Sequence, residues 1–226
     1  MSDVPEPIIT ETLLNDVPFI GNTSDNLHCL PASYGMVRQY FEPEWQIDWE
    51  EWSPLVGFIP GKGAWSMAGL LWFRDNGYDV VHVTSFDYGR FADEGADYLH
   101  ESLGRKTAEW EVTFTDMHLE QARARTFVQS GIWQYRRPDI ADIKLYLERG
   151  YLVKCTVNLN HLNGLPGFLG HALLVVGYNK DTLILHDPGL PARAYRSVTY
   201  DEFQAAWADP NARMEKLDAL KLLTEV

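Results

Sequence analysis

The first half of the chain has apolar positions that recur with the period of a helix. From Pro31 to Phe41 they fall on one face, and proline suits the first turn of a helix, so the pattern predicts that a helix begins at Pro31. The other segments with a helical pattern are 48–56, 64–76, 87–130 with a break near Gly104, and 138–149. Residues 1–20 carry three prolines and are expected to be an extended arm, followed by a turn at 21–26.

The final third changes to short runs rich in Val, Leu and Ile with turn residues between them, which is typical of strands. The predicted strands are 78–83, 151–158, 170–178, 182–186 and a closing strand at 217–223. The turn 179–181 joins two of them into a hairpin, and the Thr199-x-x-Glu202 capping box predicts a helix that ends near Ala208. Helices followed by an antiparallel sheet indicate an α+β fold. We expect a single domain over 1–226 that contains a helical insertion at 85–137.

Composition and charge narrow the classes of function. The chain has 226 residues, is 46% hydrophobic and carries a net charge of −13, which argues against nucleic-acid and anionic-membrane partners. No run approaches the ~20 apolar residues of a membrane span, and the N-terminus lacks the pattern of a secretory signal. Two cysteines make a disulfide framework unexpected. The sequence therefore predicts a cytoplasmic protein with reduced thiols and no cofactor.

Three residues at the ends of predicted elements suggest nucleophilic catalysis. Cys29 precedes a helix start, where free N–H groups favour the thiolate. His171 opens a strand after a flexible loop, and Asp187 ends the next strand of the hairpin. The hairpin brings these two strand ends together if its register allows, so that the carboxylate orients the imidazole. The pattern indicates a nucleophile, a base and an orienting acid in the order Cys, His, Asp.

Two segments resemble the motifs of the double-glycine, or bacteriocin-leader, peptidases of the papain-like superfamily. They are 22–37, around Cys29, and 170–178 with 185–188. More specifically, the chain resembles the stand-alone, peptidase-like form without transporter domains, over about 17–41 and 150–209. The resemblance implies a papain-like α+β fold, with the nucleophile at a helix start packed on an antiparallel sheet. It also implies thiol-dependent cleavage of a peptide amide bond by Cys29, with His171 as general base and Asp187 as its orienter.

The chain departs from this family beside the nucleophile. The family usually has a glutamine six residues before the cysteine, which donates to the oxyanion, and a glycine directly after it. Here Thr23 stands at the first position and Leu30 at the second, and the nearest side-chain amide is Asn22. Asn22 is therefore the candidate oxyanion donor, beside the backbone N–H of Cys29. Loss of one such donor typically lowers the rate by ~10²–10³.

Alternatives stay open at the level of the sequence. The same chemistry serves an amidase or a transglutaminase-like acyl-transfer enzyme, and a non-catalytic peptide-binding module with a peptidase fold would explain the missing glutamine. Cys155 alternates with Val153 and Val157 on an apolar strand face and is expected in the core, and His186 should face away from Asp187. No close pair of ligands supports a metal site. The expected partner is a peptide or protein substrate.

Overall fold

A mixed sheet with helices on both faces forms the frame of the molecule, in a computed structural model that describes residues 11–223. The helices are α1 Cys29–Phe41, α2 Trp49–Leu55, α3 Ser66–Asp75, α4 Tyr88–Glu94, α5 Ala96–Leu103, α6 Arg105–Phe114, α7 Met117–Val128, α8 Ile140–Glu148, α9 Leu159–Leu162 and α10 Tyr200–Trp207. The strands are β1 Leu13–Leu14, β2 Tyr78–Thr84, β3 Trp133–Tyr135, β4 Leu152–Asn158, β5 Gly170–Tyr178, β6 Thr182–Asp187, β7 Arg193–Thr199 and β8 Lys216–Leu222. The α+β prediction is confirmed.

The strand order of the sheet is β3-β2-β8-β4-β5-β6-β7, and β1 pairs with β5. All pairs are antiparallel except β2 with β3. The last strand of the chain, predicted to close the fold, lies in the middle of the sheet between β2 and β4. A buried cluster with residues from α1 and α3 covers one face, and a second with residues from α8 and α10 covers the other. Cys155 lies in the second cluster and is fully buried, as expected.

Helix α1 begins at Cys29, two residues before the predicted start at Pro31. The first N–H groups of a helix have no intrahelical partner, so a proline in the first turn removes no hydrogen bond and need not be the first residue. The missing N–H of Pro31 is therefore tolerated at the third position of α1. The shift matters because it places Cys29 inside the first helical turn, not before it.

The segment 85–137 is helical, as its pattern predicts, and the predicted break at Gly104 separates α5 from α6; two further breaks divide it into the four helices α4–α7. It also contains β3, which the pattern does not predict and which joins the main sheet beside β2. Buried side chains of this segment, among them Tyr88 and Phe127, share one core cluster with α1 and α3. Its status as an insertion in a single domain stays a prediction.

Strand β7 was also not predicted, because most of its side chains are exposed and it shows no apolar alternation. Of the expected extended arm, residues 1–10 lie outside the described part, and 11–20 carry only the short strand β1. Gly177 accommodates β1, since a Cβ there would lie 2.3 Å from the carbonyl oxygen of Leu13. Over residues 11–223, no helix has the length and apolar character needed to cross a membrane.

Candidate active site

Cys29 is the first residue of α1 and is partly exposed. No acceptor within residues 11–223 binds its backbone N–H, as expected at a helix N-terminus. Burial alone would raise the pKa of its thiol, but the hydrogen bond and charge of His171 and the backbone N–H groups of Ala172 and Leu30 outweigh that effect. The pKa of the Cys29 thiol is therefore below its usual value, which favours the nucleophilic thiolate.

His171 lies at the start of β5, and Asp187 is the last residue of the neighbouring antiparallel strand β6. The hairpin register brings the two strand ends together, and His171 Nε2–H donates to Asp187 Oδ1 over 2.8 Å. Because Nε2 is bonded to Asp187, Nδ1 is the ring nitrogen left for the Cys29 thiol. The structure thus brings together all three residues that the sequence singled out.

The carboxylate of Asp187 has partners on both oxygens. Its Oδ1 accepts from His171 and from the backbone N–H of Gly189 at 3.0 Å, and its Oδ2 accepts from Arg196 Nη1 at 2.8 Å. A side chain at position 189 would not fit, since a Cβ there would lie 2.9 Å from Asp187 Oδ1 and 3.3 Å from His171 Cε1. Sequence reasoning missed Arg196 because it lies on the unpredicted strand β7.

The protonation states of the site follow from these contacts. Burial raises the pKa of Asp187, but its bonds to His171, Arg196 and Gly189 outweigh this and lower the pKa to about 2. Burial lowers the pKa of His171, yet the bonds to Asp187 and Cys29 raise it to about 9. A cationic imidazole between a carboxylate and a thiol of lowered pKa is the arrangement of a thiolate–imidazolium pair.

The loop before Cys29 is held by a directional chain of hydrogen bonds. The backbone N–H of His28 donates to Asn22 Oδ1 at 2.7 Å, and Asn22 Nδ2 donates to Asn26 Oδ1 at 3.1 Å. A backbone N–H can only donate, so both amide orientations are determined and Asn26 Nδ2 points away from Asn22. Asn26 lines the cavity beside Cys29, whereas Asn22 is not among its lining residues. The oxyanion role of Asn22 stays a prediction.

A cavity of about 290 Å³ adjoins Cys29 and His171. The predicted helical insertion supplies part of its wall, through Tyr88 of α4, through Trp110, Glu111 and Phe114 of α6, and through Thr115. Trp65, directly before α3, also lines the cavity, and its Nε1–H donates to Thr115 Oγ1 at 3.1 Å. The middle of the chain therefore takes part in the site, although its sequence carries no recognisable motif.

A buried polar network lies next to this cavity and was not foreseen. Lys154 Nζ is 2.7 Å from Asp218 Oδ2, and both side chains are fully buried. Tyr34 donates to the same carboxylate at 2.8 Å, and His82 Nδ1–H donates to its other oxygen at 2.6 Å. Burial lowers the pKa of His82, so its neutral Nε2 accepts from the Tyr88 hydroxyl at 3.0 Å. The network holds β2, β4 and β8 to α1 and α4.

The two other histidines considered, His186 and His161, have hydrogen-bond partners outside the site. His186 faces away from the site, where its Nε2–H donates to the carbonyl of Val17 at 2.9 Å and its Nδ1 accepts from Tyr195 N–H. His161 pairs with Asp209 outside the cavity. Within residues 11–223, no group of three or more His, Cys, Asp or Glu side chains is arranged to hold a metal ion.

Comparison with known proteins adds little to the geometry. The chain matches no protein-family model and no curated protein. Among solved structures, it is similar to a proposed C39-like peptidase from Bacillus anthracis, with a TM-score of 0.48 and 14% identity. The match covers 95% of this chain and 100% of that one. At this degree of similarity, the function has to be argued from the site.

Proposed function

We propose that this protein is a thiol-dependent amide hydrolase, a papain-like cysteine peptidase with the triad Cys29, His171 and Asp187. The observation that carries the proposal is the imidazole of His171 held between a carboxylate and a thiol, with Nε2–H on Asp187 at 2.8 Å. Burial of the pair strengthens this interaction, since His171 is only 4% exposed. Its raised pKa and the lowered pKa of Cys29 support a charged resting pair.

In the proposed reaction, the Cys29 thiolate attacks the carbonyl carbon of the scissile amide. His171 Nδ1–H then protonates the leaving amine, and the acyl group stays on sulfur as a thioester. Neutral His171 next takes a proton from water, whose oxygen attacks the thioester and releases the acid and the thiolate. Asp187 holds the ring orientation and stabilises its cation throughout.

The oxyanion of both steps needs donors near Cys29. The backbone N–H of Cys29 at the start of α1 is one, because it has no acceptor among the described residues. We assign the side-chain donor to Asn26 Nδ2, with Asn22 acting through it, because the hydrogen-bond chain from His28 orients both amides in this way. This pair of asparagines would replace the glutamine that the family places before its cysteine.

The experiment is turnover of a peptide library by the wild type, Cys29→Ala and His171→Ala, with mass analysis of Cys29 for an acyl adduct. We expect cleavage by the wild type and its loss in both variants. His161→Ala is the matched control, since His161 also bonds an aspartate but lies outside the cavity. Undiminished cleavage by Cys29→Ala would overturn the proposal. So would peptide binding without cleavage or adduct, which would identify a non-catalytic binding module.

A further inference from the structure

The cavity beside Cys29 is larger than a cleft for glycine requires. Its volume of about 290 Å³ lies at the lower end of the range for small-molecule pockets. Trp65, Trp110 and Phe114 give it aromatic walls, and Cys29 and His171 lie on its boundary. A substrate attacked by the Cys29 thiolate would therefore have room to place a large side chain in this space.

Two charged side chains interrupt the apolar lining, Lys216 at the start of β8 and Glu111 of α6. The Lys216 ammonium lies 5.2 Å from the ring centre of Trp65 and 4.9 Å from that of Phe86. Phe86 is fully buried, so the ammonium marks the inner end of the cavity. Within residues 11–223, no hydrogen-bond acceptor is in contact with Lys216 Nζ. The ammonium of Lys216 is partly buried on the cavity wall, so it is free to donate to a ligand that enters this space.

Glu111 lines the same cavity as Lys216 and carries the opposite charge. Burial lowers the pKa of Lys216 and raises that of Glu111, and the attraction between the two charges opposes both effects. The pair is thus close to neutral overall, and it offers the cavity both N–H donors and carboxylate acceptors. For a charged ligand, the attraction to one of these two groups is offset by the repulsion from the other. A purely apolar ligand would shield Lys216 from water and leave its ammonium without an acceptor.

We propose that the cavity binds a neutral carboxamide side chain, of the glutamine type, on the acyl side of the scissile bond. Its carbonyl oxygen accepts from Lys216, its NH₂ group donates to Glu111, and its methylenes pack on Trp65 and Phe114. The proposal rests on the proposed function, because it takes Cys29 as the attacking group. It predicts a specificity other than the double-glycine preference of the family that the sequence resembles.

The test uses acetyl-Ala-Xaa vinyl sulfones, with Xaa as Gln, Glu, norleucine or Gly, and measures the second-order rate of Cys29 alkylation. We expect Gln to exceed each of the others by about tenfold or more, since a site built for hydrogen bonds discriminates strongly against groups that do not make them. Lys216→Met should remove the preference for Gln over norleucine. The matched control is Lys221→Met on the same strand, whose ammonium binds the carbonyl of Arg149 outside the cavity.

Iodoacetamide, which does not fill the cavity, separates the two proposals. Suppose that the reaction of iodoacetamide with Cys29 depends on His171. If the four vinyl sulfones then react alike, or if the Glu or norleucine compound reacts fastest, the cavity proposal is wrong and the proposed function stands. If Cys29 reacts as an ordinary thiol with or without His171, the proposed function fails. The cavity is then tested by calorimetry of acetyl-Ala-Gln and acetyl-Ala-norleucine with Cys29→Ala. Stronger binding of the Gln peptide supports the cavity proposal, and equal binding overturns it.

Discussion

Replacing Asp187 by Asn tests the electrostatics of the site most directly, because it removes a charge and keeps the shape of the side chain. The pKa of His171 is raised from 6.5 to about 9. That difference of about 2.5 pKa units corresponds to about 3 kcal/mol in favour of the charged ring. The bond to Asp187 is the first of the causes that raise it, ahead of the Cys29 thiol. Asp187→Asn should therefore destabilise the thiolate–imidazolium pair by about 1.4 kcal/mol or more, at least one pKa unit.

The assay is the rate of iodoacetamide alkylation of Cys29 between pH 4 and 10. Peptide mapping separates Cys29 from Cys155, which is fully buried and whose thiol pKa is raised by that burial. At pH 5 the variant should react at least ~10-fold more slowly than the wild type, because less of the thiol is ionised. At pH 10, where the thiolate forms without help from His171, the two rates should converge.

Asp209→Asn is the matched control, because Asp209 also bonds a histidine, His161, over 2.6 Å and lies outside the site. It should leave the alkylation profile unchanged. The reasoning is refuted if the profile of Asp187→Asn coincides with that of the wild type, or if Asp209→Asn shifts the profile by the same amount. Circular dichroism at each pH confirms that the compared proteins are folded.

Three further predictions concern the oxyanion donor, the buried network and acid stability. Asn26→Ala should lower peptide turnover by ~10²–10³ and leave the pH profile of Cys29 alkylation in place, and unchanged turnover would exclude Asn26 as a donor. Lys154→Met should lower the free energy of unfolding, measured in urea, by about 3–5 kcal/mol, because Asp218 stays buried without its cation. The control Lys180→Met replaces an exposed side chain and should change this free energy by less than about 0.5 kcal/mol. Equal effects of the two substitutions would contradict the prediction. The pKa of the Asp187 carboxyl is lowered from 3.8 to about 2, so its ionisation contributes about 2 kcal/mol of stability above pH 3.8, and this contribution is lost as the pH falls through 2. In acid titrations, the difference in stability between the wild type and Asp187→Asn should therefore shrink over that window. A constant difference would count against this reasoning.

Local patterns were enough to predict most elements and the three site residues. Strands β4, β5 and β6 are rich in Val, Leu and Ile and lie between turn residues, and the Thr199–Glu202 capping box is present with both of its hydrogen bonds. Cys29, His171 and Asp187 were recognised because each residue type stands at the end of an element, where reactive side chains meet a cleft. Their catalytic roles stay predictions, although the structure brings the three side chains together.

Tertiary structure decided what local patterns do not encode. The position of β8 in the middle of the sheet depends on pairing with β2, more than 130 residues earlier, and no short segment specifies such a contact. The exposed strand β7 carries no apolar signal, so Arg196 beside Asp187 was not predictable. The cavity is lined by distant parts of the chain, which places Glu111 of α6 and Lys216 of β8 on the same wall. The sequence by itself determined most of the elements and the reactive groups, because these follow from neighbours along the chain. The packing of distant segments decided which side chains surround those groups, because burial and charge depend on everything within a few ångströms.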